Sequence, residues 1–253
     1  MYQHQNLRWL NLVGNKMEGG LQDSFNLPAL EVLLIQNNNW TGSLPSSLGN
    51  STNLIKLQLS QSDDYLSYSG WTGGLTGGIP ESNFTQIKHF FVGNQNLGGS
   101  GYQIPGFIFD SWSKDPRSGL RDFRIEGNNF EGTVPAELGD FNLLTFSIKN
   151  NNFSGSLPAR IASGMKDVII FEVRHNNLTG NFPNGEMIDG EWKGWRTKTR
   201  LRTFNIGDNN FTGPLPDMPE YVGDMSVLIL SDNNFEGTIP DTWEEAFHTF
   251  FKR

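Results

Sequence analysis

The chain has 253 residues, a formal net charge of −8 and no cysteine. The acidic balance argues against a nucleic-acid partner, which is held by Lys and Arg set against phosphates. The lack of thiols excludes disulfides, thiolate metal sites and a cysteine nucleophile. Hydrophobic residues make up 36% of the chain and include 19 Phe, enough bulk for a long core. No window approaches the roughly 18 apolar residues of a membrane span, and the opening "MYQHQNLRWL" lacks the pattern of a secretory leader.

From the first residues onward one phrase returns. It reads "LEVLLIQNNNWTGSLP" from Leu30, "LRDFRIEGNNFEGTVP" from Leu120 and "LRTFNIGDNNFTGPLP" from Leu201. Copies open at Leu7, Leu30, Leu54, Ile87, Leu120, Leu143, Val168, Leu201 and Met225, giving a basic unit of about 24 residues with three longer ones. A period of this size marks a solenoid, in which no unit buries its apolar face alone.

Each part of the phrase has a mechanical reading. The alternating start, as in Leu30, Leu33 and Ile35, predicts a short strand with one face inward. An Asn follows where the chain leaves the strand: Asn15, Asn38, Asn128, Asn151, Asn176, Asn209 and Asn233, with Gln95 in the fourth unit and the third position lost to an insertion. Its amide carries donors and an acceptor, so stacked copies are expected to satisfy backbone groups from turn to turn. A Gly comes next, from Gly19 to Gly237, and then an apolar-Pro step that stiffens the outer side. After the ninth unit, "DTWEEAFHTFFKR" places Trp243, Ala246, Phe247, Phe250 and Phe251 at helical spacing. A terminal helix over 242–253 or a truncated tenth unit would account for this.

This unit resembles the plant-type leucine-rich repeat, whose consensus carries the same Asn-x-Leu-x-Gly-x-Ile-Pro run and a following Leu-Gly step, here Leu48-Gly49 and Leu138-Gly139. The resemblance covers roughly residues 7–243. It implies an α/β solenoid over 1–253: a single domain, a right-handed superhelix with a concave parallel sheet, about nine repeats and few regular helices. Phe123, Phe146, Phe171 and Phe204 stand where the family prefers Leu. Plant members usually close both ends with paired cysteines, absent here. The sparse start is read as a fragment of a longer protein or as a relative capped differently.

The long units carry inserted stretches, "SQSDDYLSYSGW", "FDSWSKDPRSG" and "GEMIDGEWKGWRTKTR", which bring Tyr65, Tyr68, Trp71, Trp112, Trp192 and Trp195. Either these rings contact a partner or they fold back on the solenoid. No catalytic constellation is present: His4, His89, His175 and His248 lack metal-ligand spacing, and Asp63-Asp64 is short of a calcium site. The chain reads as non-enzymatic and cofactor-free.

Positions flanking each inward anchor face outward. Arg124, Glu126, Lys149, Glu172 and Arg174, with His175, are expected to form one mixed-charge patch, beside a more apolar strip of Val32, Leu34, Gln58, His89 and Phe91. Such a surface suits a peptide or protein ligand; the plain alternative is charges that pair with one another to keep the face soluble. Candidate ligand contacts are therefore these charged residues with Phe91, Tyr65, Tyr68 and Trp71. Six Asn-x-Ser/Thr acceptors, Asn39, Asn50, Asn83, Asn152, Asn177 and Asn210, fit an extracellular or cell-surface glycoprotein, although the repeat itself generates four of them. The resemblance implies a recognition module such as a receptor-like ectodomain, any membrane anchor then lying in a longer parent protein. The alternatives are a secreted inhibitor of a cell-wall-degrading enzyme similar to polygalacturonase-inhibiting proteins, and an ice-binding protein built on the Thr41, Thr76, Ser154, Thr179, Thr212 column.

Overall fold

The computed structural model describes residues 4–22, 27–61, 74–219 and 224–243. The chain divides into two compact units, Met1–Glu131 and Gly132–Arg253. In each, every repeat contributes a lead strand and a second strand, and the two kinds assemble into separate parallel sheets with the core between them.

In the first unit these are β1 (Trp9–Asn11), β2 (Glu18–Gly20), β3 (Val32–Leu34), β4 (Asn39–Ser43), β5 (Lys56–Gln58), β6 (Gly74–Gly77), β7 (His89–Phe91), β8 (Asn96–Gln103), β9 (Asp122–Arg124) and β10 (Asn129–Gly132), which ends at the unit boundary. Lead strands run in the order β1-β3-β5-β7-β9 and second strands in the order β2-β4-β6-β8-β10. In the second unit they are β11 (Thr145–Ser147), β12 (Asn152–Ser156), β13 (Ile170–Glu172), β14 (Asn177–Asn181), β15 (Gly185–Ile188), β16 (Glu191–Gly194), β17 (Thr203–Asn205), β18 (Asn210–Gly213), β19 (Val227–Ile229) and β20 (Asn234–Phe235). Here the sheets are β11-β13-β17-β19 and β12-β14-β18-β20, and β15-β16 forms a separate antiparallel hairpin.

The central residue of each interior lead strand is buried: Leu33, Leu57, Phe90 and Phe123 in the first unit, Phe146, Phe171 and Phe204 in the second. The Phe-for-Leu positions stack ring on ring, Phe146–Phe171 at 5.3 Å and Phe171–Phe204 at 5.5 Å between centroids. Proline then sets the return. Pro45, Pro105 and Pro135 hold an extended backbone directly before short 3-10 turns at Ser46–Asn50, Gly106–Phe109 and Ala136–Asp140, and Pro158 precedes the helix Ala159–Ser163.

The Asn doublet divides its labour. Its first residue takes a left-handed backbone, with φ of 56° at Asn37 and at Asn150; Asp208, Asp232 and His175 fill the same place at 51° to 55°. The second residue is the ladder amide. Asn209 Nδ2 donates to Val173 O of the preceding rung at 3.0 Å and to Ile206 O and Gly207 O of its own, while its Oδ1 accepts from Leu178 N. Asn38, Asn128, Asn176 and Asn233 repeat that pattern. Gln95 substitutes with a longer arm, reaching Leu59 O and accepting from Leu75 N. In the third unit Gln61 is buried one residue earlier and donates to Asn38 O at 2.8 Å.

Two inserted rings fold back into the core. Trp112 lies within 5.0 to 5.7 Å of Phe84, Phe90 and Phe109 and donates to Ser82 Oγ. Trp195 packs against Phe171, Phe182 and Phe204 and donates to Pro183 O. Of the terminal helix expected over 242–253, residues 241–243 are helical and the stretch from 244 onward lies outside the described residues.

Candidate functional site

A lead strand of three residues points its middle side chain inward and the two flanking ones outward. Strand register therefore fixes which outward residues are neighbours. In the first unit one row runs Trp9, Val32, Lys56, His89, Asp122, and the next runs Asn11, Leu34, Gln58, Phe91, Arg124. The early rungs present Trp9, 63% exposed, with Val32 and Leu34; the later rungs carry charge and aromatic rings. Of the apolar strip anticipated from the sequence, Leu34, Gln58 and Phe91 are neighbours in one row, while Val32 and His89 stand in the other with Lys56 between them.

Phe91 is the centre of the later rungs. Lys56 Nζ lies 5.6 Å from its ring centroid and the Arg124 guanidinium 5.4 Å, both within range of a cation–π contact. His89 stacks on the same ring at 6.1 Å and bonds Asp122 through Nδ1 at 2.6 Å. Arg124 and Lys56 form no ion pair among the described residues, and Arg124 Nε is buried without a hydrogen-bond partner. Glu126 lies against the backbone of Gly93, where a Cβ would meet its carboxyl carbon at 3.0 Å.

The second unit arranges its charges differently. Its outward rows are Thr145, Ile170, Thr203, Val227 and Ser147, Glu172, Asn205, Ile229. Lys149 Nζ pairs with Glu172 at 3.0 Å, and Ser147 also donates to that carboxylate. Arg174 pairs with Asp208 at 3.0 Å and donates to His175 Nε2, while His175 Nδ1 lies 3.4 Å from the same Asp208. So Lys149, Glu172, Arg174 and His175 are engaged in mutual pairs. Asp208 was missed by the sequence reading because it lies past the strand; its signal was an acid in the left-handed corner position. Lys56 was missed because only the neighbouring Gln58 was taken from its strand.

Tyr65, Tyr68 and Trp71, expected as contact residues, lie outside the described residues. Of the six acceptor asparagines, Asn50, Asn83, Asn152, Asn177 and Asn210 are exposed and Asn39 is half-buried. In the second sheets threonines do not stand beside threonines: register pairs Thr41 with Gly74, Thr76 with Asn96 and Thr179 with Asn210. No group of three or more His, Cys, Asp or Glu among the described residues could hold a metal, and no helix there is long and apolar enough to cross a membrane.

One cation is buried. Lys198, 1% exposed, donates through Nζ to Gly164 O and Met165 O, just past the C-terminus of the helix Ala159–Ser163, and lies 5.3 Å from the Trp195 ring. Burial, reinforced by the charge of Lys166, pushes its ammonium down to about 7.

A family model described as Leucine Rich Repeat matches residues 29–51, 200–221 and 225–245. The fold is that of a leucine-rich-repeat solenoid. Its repeats superpose with a TM-score of 0.75 on a chain of the crystal structure of PEPR1-AtPEP1, at 25% identity over 95% of this chain and 30% of that one. The Arabidopsis receptor kinase HAESA, solved in complex with the peptide hormone IDA and the co-receptor SERK1, matches with a TM-score of 0.65 at 25% identity, over 91% of this chain and 39% of that one. A plant ice-binding protein shares the fold at 20% identity and a TM-score of 0.61, over 92% of this chain and 74% of that one. No curated protein matches. The chain spans less than half the length of the first two of these proteins.

Proposed function

We propose that the chain is a non-catalytic recognition module that holds a peptide or protein ligand on the outward face of its lead strands, as part of an extracellular or cell-surface receptor-like protein. One observation carries the reading. Lys56 and Arg124 converge on the half-buried Phe91 ring and form no ion pair among the described residues, on a sheet whose backbone is fixed by the amide ladder. Paired charges keep a face soluble, whereas unpaired cations around an aromatic ring offer a partner both apolar area and charge. The adjoining Trp9, Val32 and Leu34 extend the surface for an elongated ligand. The similarity to a receptor kinase solved with a peptide hormone points the same way. The net charge of −8 keeps nucleic acid out of the reading.

Selection of random displayed peptides on the intact chain tests this. Peptides that bind should lose about tenfold or more in affinity on the K56S/R124S variant, with circular dichroism unchanged. Selected peptides that bind the parent and the variant alike would overturn the assignment to this face.

A further inference from the structure

The hairpin β15–β16 exposes the edge of β16. Its turn, Asp189-Gly190, has φ of 52° and 76°, the mirror-image geometry that suits tight hairpins. A two-residue turn makes Ile188 and Glu191 a hydrogen-bonded pair, and the alternation that follows puts Met187 opposite Trp192 in a non-bonded pair. The bond from Trp195 N to Asn184 O at 3.1 Å confirms that phase. The N–H and C=O of Trp192 therefore point away from β15, and among the described residues β16 pairs with nothing else. Met187, 63% exposed, and Trp192, 40% exposed, form an apolar pair on one face. The hairpin is held firmly: Ser163 Oγ donates to Glu186 at 2.5 Å, and Trp195, buried directly after β16, anchors it in the core.

We propose that two copies of the chain pair through their β16 edges, antiparallel, about a two-fold axis at Trp192. The charge pattern commits the occupant. Glu191 and Lys193 flank Trp192 and pair with one another along the strand; a two-fold centred there also sets Glu191 opposite Lys193 of the second copy, and the reverse. An isolated lysine on an edge strand blocks pairing; a Glu-Trp-Lys triplet is complementary to itself, as a two-fold interface requires. Directly opposed residues share a face in an antiparallel pair, so the two Trp192 rings meet, flanked by the two Met187 side chains. The two Trp192 residues exchange both backbone hydrogen bonds. The product is a four-stranded sheet with a row of Met, Trp, Trp and Met.

The interface is small, which places its dissociation constant between roughly 100 µM and 1 mM. Sedimentation velocity on the intact chain, from about 10 µM to about 1 mM, reads it. E191K and K193E each set like charges opposite one another twice and should weaken dimerisation by about tenfold or more. The double variant E191K/K193E restores opposite pairs and should return the constant to within about threefold of the parent. Near-ultraviolet circular dichroism, which reports the buried Trp195 and Trp112, checks that all three variants keep the fold. A chain that stays monomeric throughout, a dimer indifferent to the single reversals, or a double variant that fails to recover would each overturn the proposal.

Discussion

In the first unit the tryptophan brought by an expanded repeat, Trp112, packs among Phe84, Phe90 and Phe109; in the second, Trp195 from another expanded repeat packs among Phe171, Phe182 and Phe204. The two interiors use the same device, an inserted ring filling the space left by a longer coil. The outward faces diverge. Lys56 and Arg124 of the first unit crowd an aromatic ring and form no ion pair among the described residues, while in the second unit Lys149 pairs with Glu172 and Arg174 with Asp208. Interior solutions repeat because packing demands them, whereas an outward face is free to vary.

The largest test asks whether the interiors are as alike as they look. Phe90 and Phe171 are both fully buried, each stacked on the next rung and each touching the inserted tryptophan. F90A and F171A should each cost about 3–5 kcal/mol, measured by urea unfolding. A cost below about 1 kcal/mol for one of them would show that its unit repacks and that the likeness is superficial.

A second difference lies beneath the surface, because the second unit buries a lysine. With its ammonium held near 7 against an ordinary 10.5, Lys198 is neutral when folded and charged when unfolded between those two values. The unfolded chain then binds more protons, so stability rises with pH across that window and is lost as pH falls towards 7. The steepest slope is about 1.4 kcal/mol per pH unit. Urea unfolding at about pH 7 and about pH 9 should show the rise in the parent and its absence in K198M. A parent slope equal to that of K198M would mean that the carbonyls of Gly164 and Met165 keep the ammonium charged.

Smaller effects belong to the amide ladder. Asn209 serves two rungs and is buried, whereas the bonds of Asn15 to Leu12 O and Val13 O stay within its own rung and are exposed. N209A leaves buried carbonyls without donors and should cost about 1–3 kcal/mol; N15A, whose carbonyls water reaches, should cost under about 1 kcal/mol. Equal costs would show that the ladder carries no stability from rung to rung.

How much of this was legible beforehand follows the same division between interior and face. The corner phrase disclosed the strands, the ladder and the glycine positions because one backbone problem recurs in every rung, and a recurring problem leaves a recurring phrase. Gln95 was legible as a substitute for Asn since the amide is retained. Trp112 and Trp195 were not, because an insertion has no period, and aromatic residues serve a core or a partner equally well. The pairing on the face was half legible. The expected patch held Glu172 and Lys149, which do pair although register sets Glu172 beside Ser147, but Arg174 turns to Asp208, a corner residue that strand periodicity does not count.

The smallest effect bears on that last point. Lys149 and Arg174 are partly exposed, with side-chain exposures of 34% and 42%, so each pair is screened by water. K149S and R174S should therefore cost no more than about 0.2–1 kcal/mol, and added salt should shrink even that. In the first unit Lys56 and Arg124 form no ion pair among the described residues, so K56S and R124S should each cost only a cation–π contact, about 0.5–1 kcal/mol. Peptides selected on the parent then separate the faces. Loss of binding on K56S or R124S with retention on K149S and R174S assigns the ligand to the first unit. The reverse pattern would mean that paired charges open to receive a ligand, and that the contrast between the faces describes the unbound chain alone.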